Sequence, residues 1–290
     1  MKDFLYKNYN LKVSKIYKKN NNYYFFINDE KVYILKAKDK KQFNLLIDIS
    51  NNLYKKGIKV NTFILNKYNS FYSENDDNYI VLMKENEKIE LSLSEINKFS
   101  NIKNDLKNYD IISEWSKEID DLEEELKEHD SLLFIKYNID FYIGISENAI
   151  QLLSEYYDDR LNDFICHILP YNNYQEYFLN NPFTFIKTNK MYNVSNYIKM
   201  KIYKNEINED FYNNISKIIK SNSPYQNVFL ISCLLYASDY FSILKRILVE
   251  EEKEEFILKY IDNIENYINV IIFCKKIIKN VKKLENFTWF

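Results

Sequence analysis

Glycine and arginine are scarce in this sequence. Gly57 and Gly144 are its only glycines among 290 residues, so no glycine-rich loop can cradle phosphates through backbone amides. Arg160 and Arg246 are its only arginines, although arginine is the side chain best suited to bidentate contacts with phosphates or base edges. Together with a net charge of −2, this scarcity argues against nucleic acid as a partner.

Metal and disulfide chemistry also have little support. Three cysteines lie far apart, at Cys166, Cys233 and Cys274, and form neither a disulfide framework nor a CxxC motif. His129 and His167 are the only histidines, too few for a zinc site beside such cysteines. We therefore predict reduced thiols in the core and no metal.

Long apolar runs are missing as well. The longest lie near residues 228–236 and 267–273, and both are too short to span a bilayer. The N-terminus has no apolar segment of the signal-peptide type. With 46% hydrophobic and 28% charged residues, the composition is that of a folded protein. We expect an intracellular, soluble protein that does not bind membranes.

The first ninety residues predict strands and one helix. The β-rich segments Tyr23–Ile27 and Val32–Ala37 flank a hairpin signal at residues 28–31. Residues 41–54 have apolar side chains at helical spacing and end before Gly57. Further strands are predicted at 11–17, 60–66, 70–73 and 79–83.

The remainder is predicted to be mostly helical. Ser92 and Glu95 have the spacing of a capping box at a helix start. A long helix is predicted at 106–133, with Trp115 among the apolar residues at helical spacing. Its acidic run from Asp120 to Glu128 is interpreted as a solvated face. A short strand is predicted at 183–188, and helices over 149–157 and 210–284. The change of composition near 84–90 divides the chain into a 1–86 lobe and an 87–290 lobe.

The chain thus begins with strands and one helix, continues with a hinge and ends with a helical part. This order resembles the two-lobed protein-kinase-like fold of the α+β class. Lys36 lies where that fold has a phosphate-binding lysine on a strand. Residues 53–60 and 78–83 are similar to segments of aminoglycoside phosphotransferases and choline kinases. Residues 208–212 and 234–248 resemble the spore-coat CotS-type kinase-like family, although the proline of that family's pattern is missing.

The resemblance implies a relic nucleotide site of Lys36 paired with Asp48 on the following helix. The alternative is that Lys36 is a solvated lysine at a strand end. His167 matches the histidine of a catalytic loop that reads H-G-D-x-x-x-x-N in such families. A buried structural histidine is the alternative.

The acidic groups of that loop are missing. Ile168 and Leu169 follow His167, and leucine can neither accept a proton nor bind magnesium. Tyr174 stands at the metal-binding asparagine position. No Asp or Glu occurs from 177 to 205, where a second metal-binding aspartate is expected. Phosphoryl transfer needs these groups for charge neutralisation.

We therefore predict a pseudokinase without catalytic residues or cofactor, acting in the assembly of the bacterial spore coat. Its predicted partners are other proteins, and its predicted location is the mother-cell cytoplasm or the coat. Two alternatives remain open. One is an active phosphotransferase with relocated acids, such as Asp158, Asp159 or Asp163. The other is a helical interaction module unrelated to kinases.

Overall fold

The computed structural model describes most of the 290 residues. The described ranges are 1–19, 22–37, 40–58, 60–75, 78–86, 92–101, 105–127, 133–156, 164–167, 185–248 and 255–278. The chain forms two compact units, one built mainly from Met1–Leu106 and the other mainly from the residues that follow. The boundary predicted between residues 86 and 87 stays a prediction.

The first unit is an antiparallel sheet with helices. Its elements are α1 (Lys2–Tyr9), β1 (Tyr17–Lys19), β2 (Asn22–Ile27), β3 (Glu30–Ala37), α2 (Lys40–Lys55), β4 (Thr62–Ile64), β5 (Tyr72–Asn75), β6 (Asn78–Lys84) and α3 (Leu93–Ser100). The strand order is β1-β2-β3-β6-β4, and β5 also pairs with β6. Every pairing in this sheet is antiparallel.

The predicted hairpin between β2 and β3 is confirmed. Its two loop residues, Asn28 and Asp29, have φ angles of 47° and 65°. Asparagine and aspartate tolerate this left-handed conformation better than other non-glycine residues. Two such residues form the turn whose twist matches the flanking strands.

The two faces of the sheet pack against different helices. On one face, Val32, Ile34 and Ile80 pack with Leu5 of α1. On the other face, Val81 packs with Phe43 and Ile47 of α2. This division follows from the alternation of side chains along a strand.

The second unit is mainly helical. Its elements are α4 (Ile111–Lys127), α5 (Leu133–Tyr156), β7 (Phe164–His167), β8 (Phe185–Thr188), α6 (Met191–Tyr203), α7 (Glu209–Ser221), α8 (Pro224–Leu235), α9 (Ser238–Leu248), α10 (Glu255–Asp262) and α11 (Ile264–Ile278). Strands β7 and β8 pair with each other. A single cluster of buried residues joins α4 to α11.

Side chains at the helix starts explain several boundaries. The predicted capping box of Ser92 and Glu95 is confirmed at the start of α3. Ser223 and Gln226 form a second capping box at α8, with Pro224 in the first turn. These side chains satisfy backbone N–H groups that a helix start leaves without partners.

The stretch Pro224–Leu248 is long and apolar enough to cross a membrane, with a mean hydropathy of 1.5. Its most apolar window, however, is 89% buried inside the protein. The stretch is also interrupted at Tyr236, which has an extended backbone between α8 and α9. These features are typical of core helices.

Several sequence-based boundaries need correction. The strand predicted over 11–17 begins only at Tyr17, and the helix α1 before it was not predicted. Helix α4 begins at Ile111 and ends at Lys127, whereas α5 extends back to Leu133. Helix α1 packs Leu5 and Tyr9 into a core cluster with the sheet, and local sequence patterns do not contain such contacts.

Candidate functional site

The segment that resembles a catalytic loop begins at the end of β7. Cys166 is fully buried, and its Sγ–H donates to the carbonyl oxygen of Asn189 at 3.2 Å. Burial raises the pKa of the Cys166 thiol well above its ordinary value. His167 is the last residue of β7; its side chain and residues 168–184 lie outside the described residues. Cys166 therefore has the predicted role of a core thiol.

The last residue of β8 and the residue that follows it are polar but buried. Thr188 is fully buried and Asn189 is 2% exposed. The side-chain Oδ1 of Asn189 accepts a hydrogen bond from the backbone N–H of Met191 at 3.0 Å. This bond engages the side chain at the start of α6. The position at which a metal-binding acid was expected is thus an amide that takes part in helix initiation.

Helix α6 continues this buried polar character. Asn193, Asn196 and Lys199 are all buried, and their spacing of three places them along one side of the helix. The Nζ of Lys199 donates to the carbonyl oxygen of Tyr236 at 2.7 Å and to Ser238 Oγ at 3.2 Å. Lys199 therefore binds the backbone where α8 ends, the site at which a cation is favoured.

A small pocket lies beside Lys199. Tyr203, Asp239 and Tyr267 are among its lining residues. Burial lowers the pKa of Lys199, and the Asp239 carboxylate opposes this shift. Burial likewise raises the pKa of Asp239, and Lys199 opposes that shift. Each charge thus stabilises the other, which is how partly buried ionic groups are tolerated.

Sequence reasoning did not identify Lys199. It lies between Ile198 and Met200 in a helix with several lysines, and most lysines are exposed. The only signal was the set of polar residues at spacing three in α6. That signal also fits an exposed helix face, so it could not have singled out this lysine.

The structure places the two predicted nucleotide-site residues on different sides of the sheet. Lys36 on β3 is exposed, and its Nζ lies 5.7 Å from the ring centroid of Tyr23. By strand alternation it shares the face of Ile34, which packs with α1. Asp48 is exposed on α2, which packs on the opposite face. No salt bridge joins Lys36 to Asp48, both of which are described. Their role in a nucleotide site stays a prediction.

Another β3 residue reaches the start of the predicted hinge. The hydroxyl of Tyr33 lies 3.2 Å from Glu85 Oε1 and 2.6 Å from Lys31 Nζ. Burial, followed by the Glu85 carboxylate, raises the pKa of Tyr33. The Tyr33 hydroxyl therefore donates a hydrogen bond to Glu85 and accepts one from Lys31.

Within the described ranges, no group of three or more His, Cys, Asp or Glu side chains could hold a metal ion. The acids proposed for a relocated catalytic site, Asp158, Asp159 and Asp163, lie outside those ranges.

Comparison with protein families identifies the chain. The family described as "Spore coat putative kinase YutH" matches residues 2–276. The chain belongs to this spore-coat kinase-like family. No curated protein matches it.

Solved structures show the fold of this spore-coat family member. An aminoglycoside phosphotransferase from Alicyclobacillus acidocaldarius is similar with a TM-score of 0.63 and 9% identity, over 97% of both chains. The amicoumacin kinase hAmiN, in complex with AMP-PNP, Ca²⁺ and Ami, is similar with a TM-score of 0.52 and 9% identity, over 92% of this chain and 88% of its own.

The predicted kinase-like α+β fold and the CotS-like assignment are thus confirmed. The alternative of a helical module unrelated to kinases is wrong, because the similarity to phosphotransferases covers nearly the whole chain. At 9% identity the similarity shows the fold and not the chemistry.

Proposed function

We propose that this spore-coat family member is a catalytically inactive kinase-like protein with a structural or assembly role in the bacterial spore coat. Family membership supports the location. The chemistry of the residues around β7 and β8 supports the loss of catalysis.

The observation that carries the proposal is that Asn189 is buried and hydrogen-bonded. It lies directly after β8, is 2% exposed, and its side chain accepts the N–H of Met191. Magnesium binds hard oxygen ligands, usually carboxylates together with substrate phosphates. A buried amide engaged at a helix start is a poor substitute. The absence of any acid from 177 to 205 leaves no neighbouring replacement in the sequence.

The first unit gives independent support. Lys36 and Asp48 do not form the lysine–acid pair that the resemblance implies. Two other side chains of β3 contact Glu85 at the start of the predicted hinge: Tyr33 through a hydrogen bond and Lys31 through an ion pair at 3.7 Å.

An active phosphotransferase is the second candidate. The similarity to an aminoglycoside phosphotransferase and to a nucleotide-bound amicoumacin kinase favours it. Under this alternative, acids outside 177–205 would have to bind the metal.

Calorimetric titration of the purified chain with ATP and Mg²⁺ separates the two candidates. We expect no magnesium-dependent binding and no phosphate transfer to aminoglycosides or to protein substrates. Lys36→Ala serves as the matched variant. Tight magnesium-dependent binding that this substitution abolishes would contradict the loss of catalysis.

The assembly role is tested separately in a sporulating host. A fluorescent fusion of the chain is expected in the coat layer. The Lys36→Ala fusion should localise in the same way, because assembly does not require nucleotide. A fusion that remains diffuse in the mother cell would contradict a coat role.

A further inference from the structure

One face of strands β1 to β3 carries a layer of aromatic rings, here called the aromatic sheet surface. It consists of Tyr17, Tyr24, Phe26 and Tyr33. Tyr17 and Tyr24 stack with ring centroids 5.2 Å apart, and Phe26 contacts them edge-on at 5.8 and 5.9 Å. Tyr33 lies 6.3 Å from Tyr24. These distances are those of favourable aromatic pairs, so the rings form one continuous layer.

This layer reaches the protein surface. Phe26 contacts two other rings and still is 50% exposed. Neither described core cluster of the unit contains the four rings. A half-exposed phenylalanine framed by tyrosines presents apolar area of the kind that a protein partner buries.

Lysines lie next to these rings. Lys15 Nζ is 4.8 Å from the ring centroid of Tyr17, and Lys31 Nζ is 4.8 Å from Tyr24 and 4.5 Å from Tyr33. The part of the chain that contains these lysines is also positively charged overall. Residues 1–106 contain 19 lysines and 13 acids, a net charge of +6, whereas residues 107–290 contain 21 basic residues and 29 acids, a net charge of −8.

Helix α4 offers a complementary surface. Five of its residues from Asp120 to Glu125 are acidic and all five are exposed. Ile119 and Leu122 are buried in the core, so Asp120 and Glu124 project from the other side of the helix. We call this the acidic face of α4.

We propose that the aromatic sheet surface of one copy docks on the acidic face of α4 of a second copy. The chain itself supplies both halves, a lysine-flanked apolar layer and a row of carboxylates, and opposite charges favour their encounter. A nucleic acid is a less suitable occupant, because the net charge of −8 on residues 107–290 would repel it. The inference rests on the proposed assembly role but not on the loss of catalysis.

Because the two surfaces differ, the contact is heterologous, and each docked pair leaves one surface of each kind unused. Such contacts give open chains unless the rotation between copies closes a ring. Self-association of this type would let the chain build an extended layer.

Sedimentation velocity of the purified full chain tests the inference. At about 50 mM NaCl we expect the sedimentation coefficient to increase with protein concentration, because copies associate. At about 500 mM NaCl the apparent dissociation constant should be at least about tenfold higher, because salt screens exposed charges. Phe26→Ser and the double substitution Asp120→Lys/Glu124→Lys should each abolish this association, so that the sedimentation coefficient no longer increases with concentration.

Mixing these two variants is the decisive measurement. Each retains one intact surface, so the mixture should form a one-to-one dimer that does not grow. Tyr225→Ser, at an equally 50% exposed aromatic residue, and Asp140→Lys/Glu147→Lys, at exposed positions of α5, are the matched controls and should assemble like wild type. Thermal unfolding establishes that every variant is folded.

A wild-type chain that is monomeric at all concentrations overturns the inference, as does assembly that both interface variants leave unchanged. Failure of the mixed variants to dimerise overturns the heterologous contact. Binding of a single-stranded DNA oligonucleotide that Phe26→Ser abolishes would assign the surface to nucleic acid instead. If the chain is monomeric and neither binds ATP nor transfers phosphate, self-association is wrong but the proposed loss of catalysis still holds. The two proposals can therefore fail independently.

Discussion

The indole ring of Trp115 and the phenol ring of Tyr236 lie parallel, with centroids 4.0 Å apart and planes 3° apart. The Tyr236 hydroxyl donates to Glu118 Oε2 at 2.8 Å. Glu118 also accepts from Lys245 Nζ at 3.2 Å. Since Tyr236 separates α8 from α9, this cluster connects the break between those helices to α4.

The hydroxyl of Tyr236 is expected to contribute measurably to stability. Tyr236→Phe keeps the ring stack but leaves Glu118 without one donor. A hydrogen bond to a charged group is worth roughly 1.5–3 kcal/mol, so we expect the free energy of unfolding in urea to fall by about 2 kcal/mol. Tyr225→Phe, at an exposed position, should leave it unchanged. A loss no larger than that of the control would show that the hydroxyl contributes nothing.

Removing the ring of Trp115 should cost more. Trp115 is 5% exposed and lies in the core of the helical unit. Truncation of a buried aromatic residue to alanine costs about 3–5 kcal/mol. We therefore expect Trp115→Ala to lower the urea midpoint further than Tyr236→Phe does. Equal effects of the two substitutions would mean that the hydrogen bond, and not the stack, holds the α8–α9 break.

Trp115 and Tyr236 also show what the sequence could and could not predict. The apolar spacing of α4 predicted Trp115 on a buried face, and the core location is confirmed. Tyr236 and Lys199 were not recognised, since their roles depend on contacts between residues more than thirty positions apart. Hairpins, caps and amphipathic helices are local and were predictable. The placement of Lys36 and Asp48 on opposite sides of the sheet depends on which face α2 packs against, and no local pattern sets that choice.

The start of α4 depends on Asp110. Its Oδ1 accepts the backbone N–H of Ser113 at 3.2 Å, and its Oδ2 accepts the Ser113 hydroxyl at 2.7 Å. These bonds lower the pKa of Asp110 below its ordinary 3.8. Its contribution to stability is therefore present above pH 3.8 and is lost as the pH falls through the lower folded pKa.

Asp110→Ala should reduce the free energy of unfolding by about 1 kcal/mol at neutral pH. The difference between wild type and variant should shrink on acidification below pH 3.8, as measured by urea unfolding at several pH values. Asp110→Asn keeps an acceptor oxygen and should lose less stability at neutral pH. A difference that does not change with pH would contradict the role of the carboxylate.

The buried thiols of Cys233 and Cys274 should make the free energy of unfolding fall at alkaline pH. Burial raises the pKa of both Cys233 and Cys274 from 9.0 to about 12. A raised folded pKa means that their contribution is complete below pH 9 and is lost as the pH rises toward 12. We expect the free energy of unfolding to fall above pH 9.

The double substitution Cys233→Ala/Cys274→Ala isolates the thiol effect. Buried tyrosines such as Tyr240 also have raised pKa values, so the variant should retain part of the alkaline loss with a shallower slope. A variant slope equal to that of wild type would show that the thiols do not contribute.

Restoring one acid should not restore metal binding. Asn189→Asp places a carboxyl group at the position after β8, but this position is 2% exposed. Burial disfavours the ionised form, so the folded pKa of the new carboxyl group should lie above the unfolded value of about 3.9. The variant should therefore lose stability relative to wild type as the pH rises from about 4 toward neutrality. Thermal unfolding with ATP and Mg²⁺ at neutral pH should show no stabilisation of the variant. A magnesium-dependent rise in Tm for Asn189→Asp that is absent in wild type would contradict this expectation. It would mean that the other ligands of the metal are intact and that the residue at position 189 alone prevents nucleotide binding.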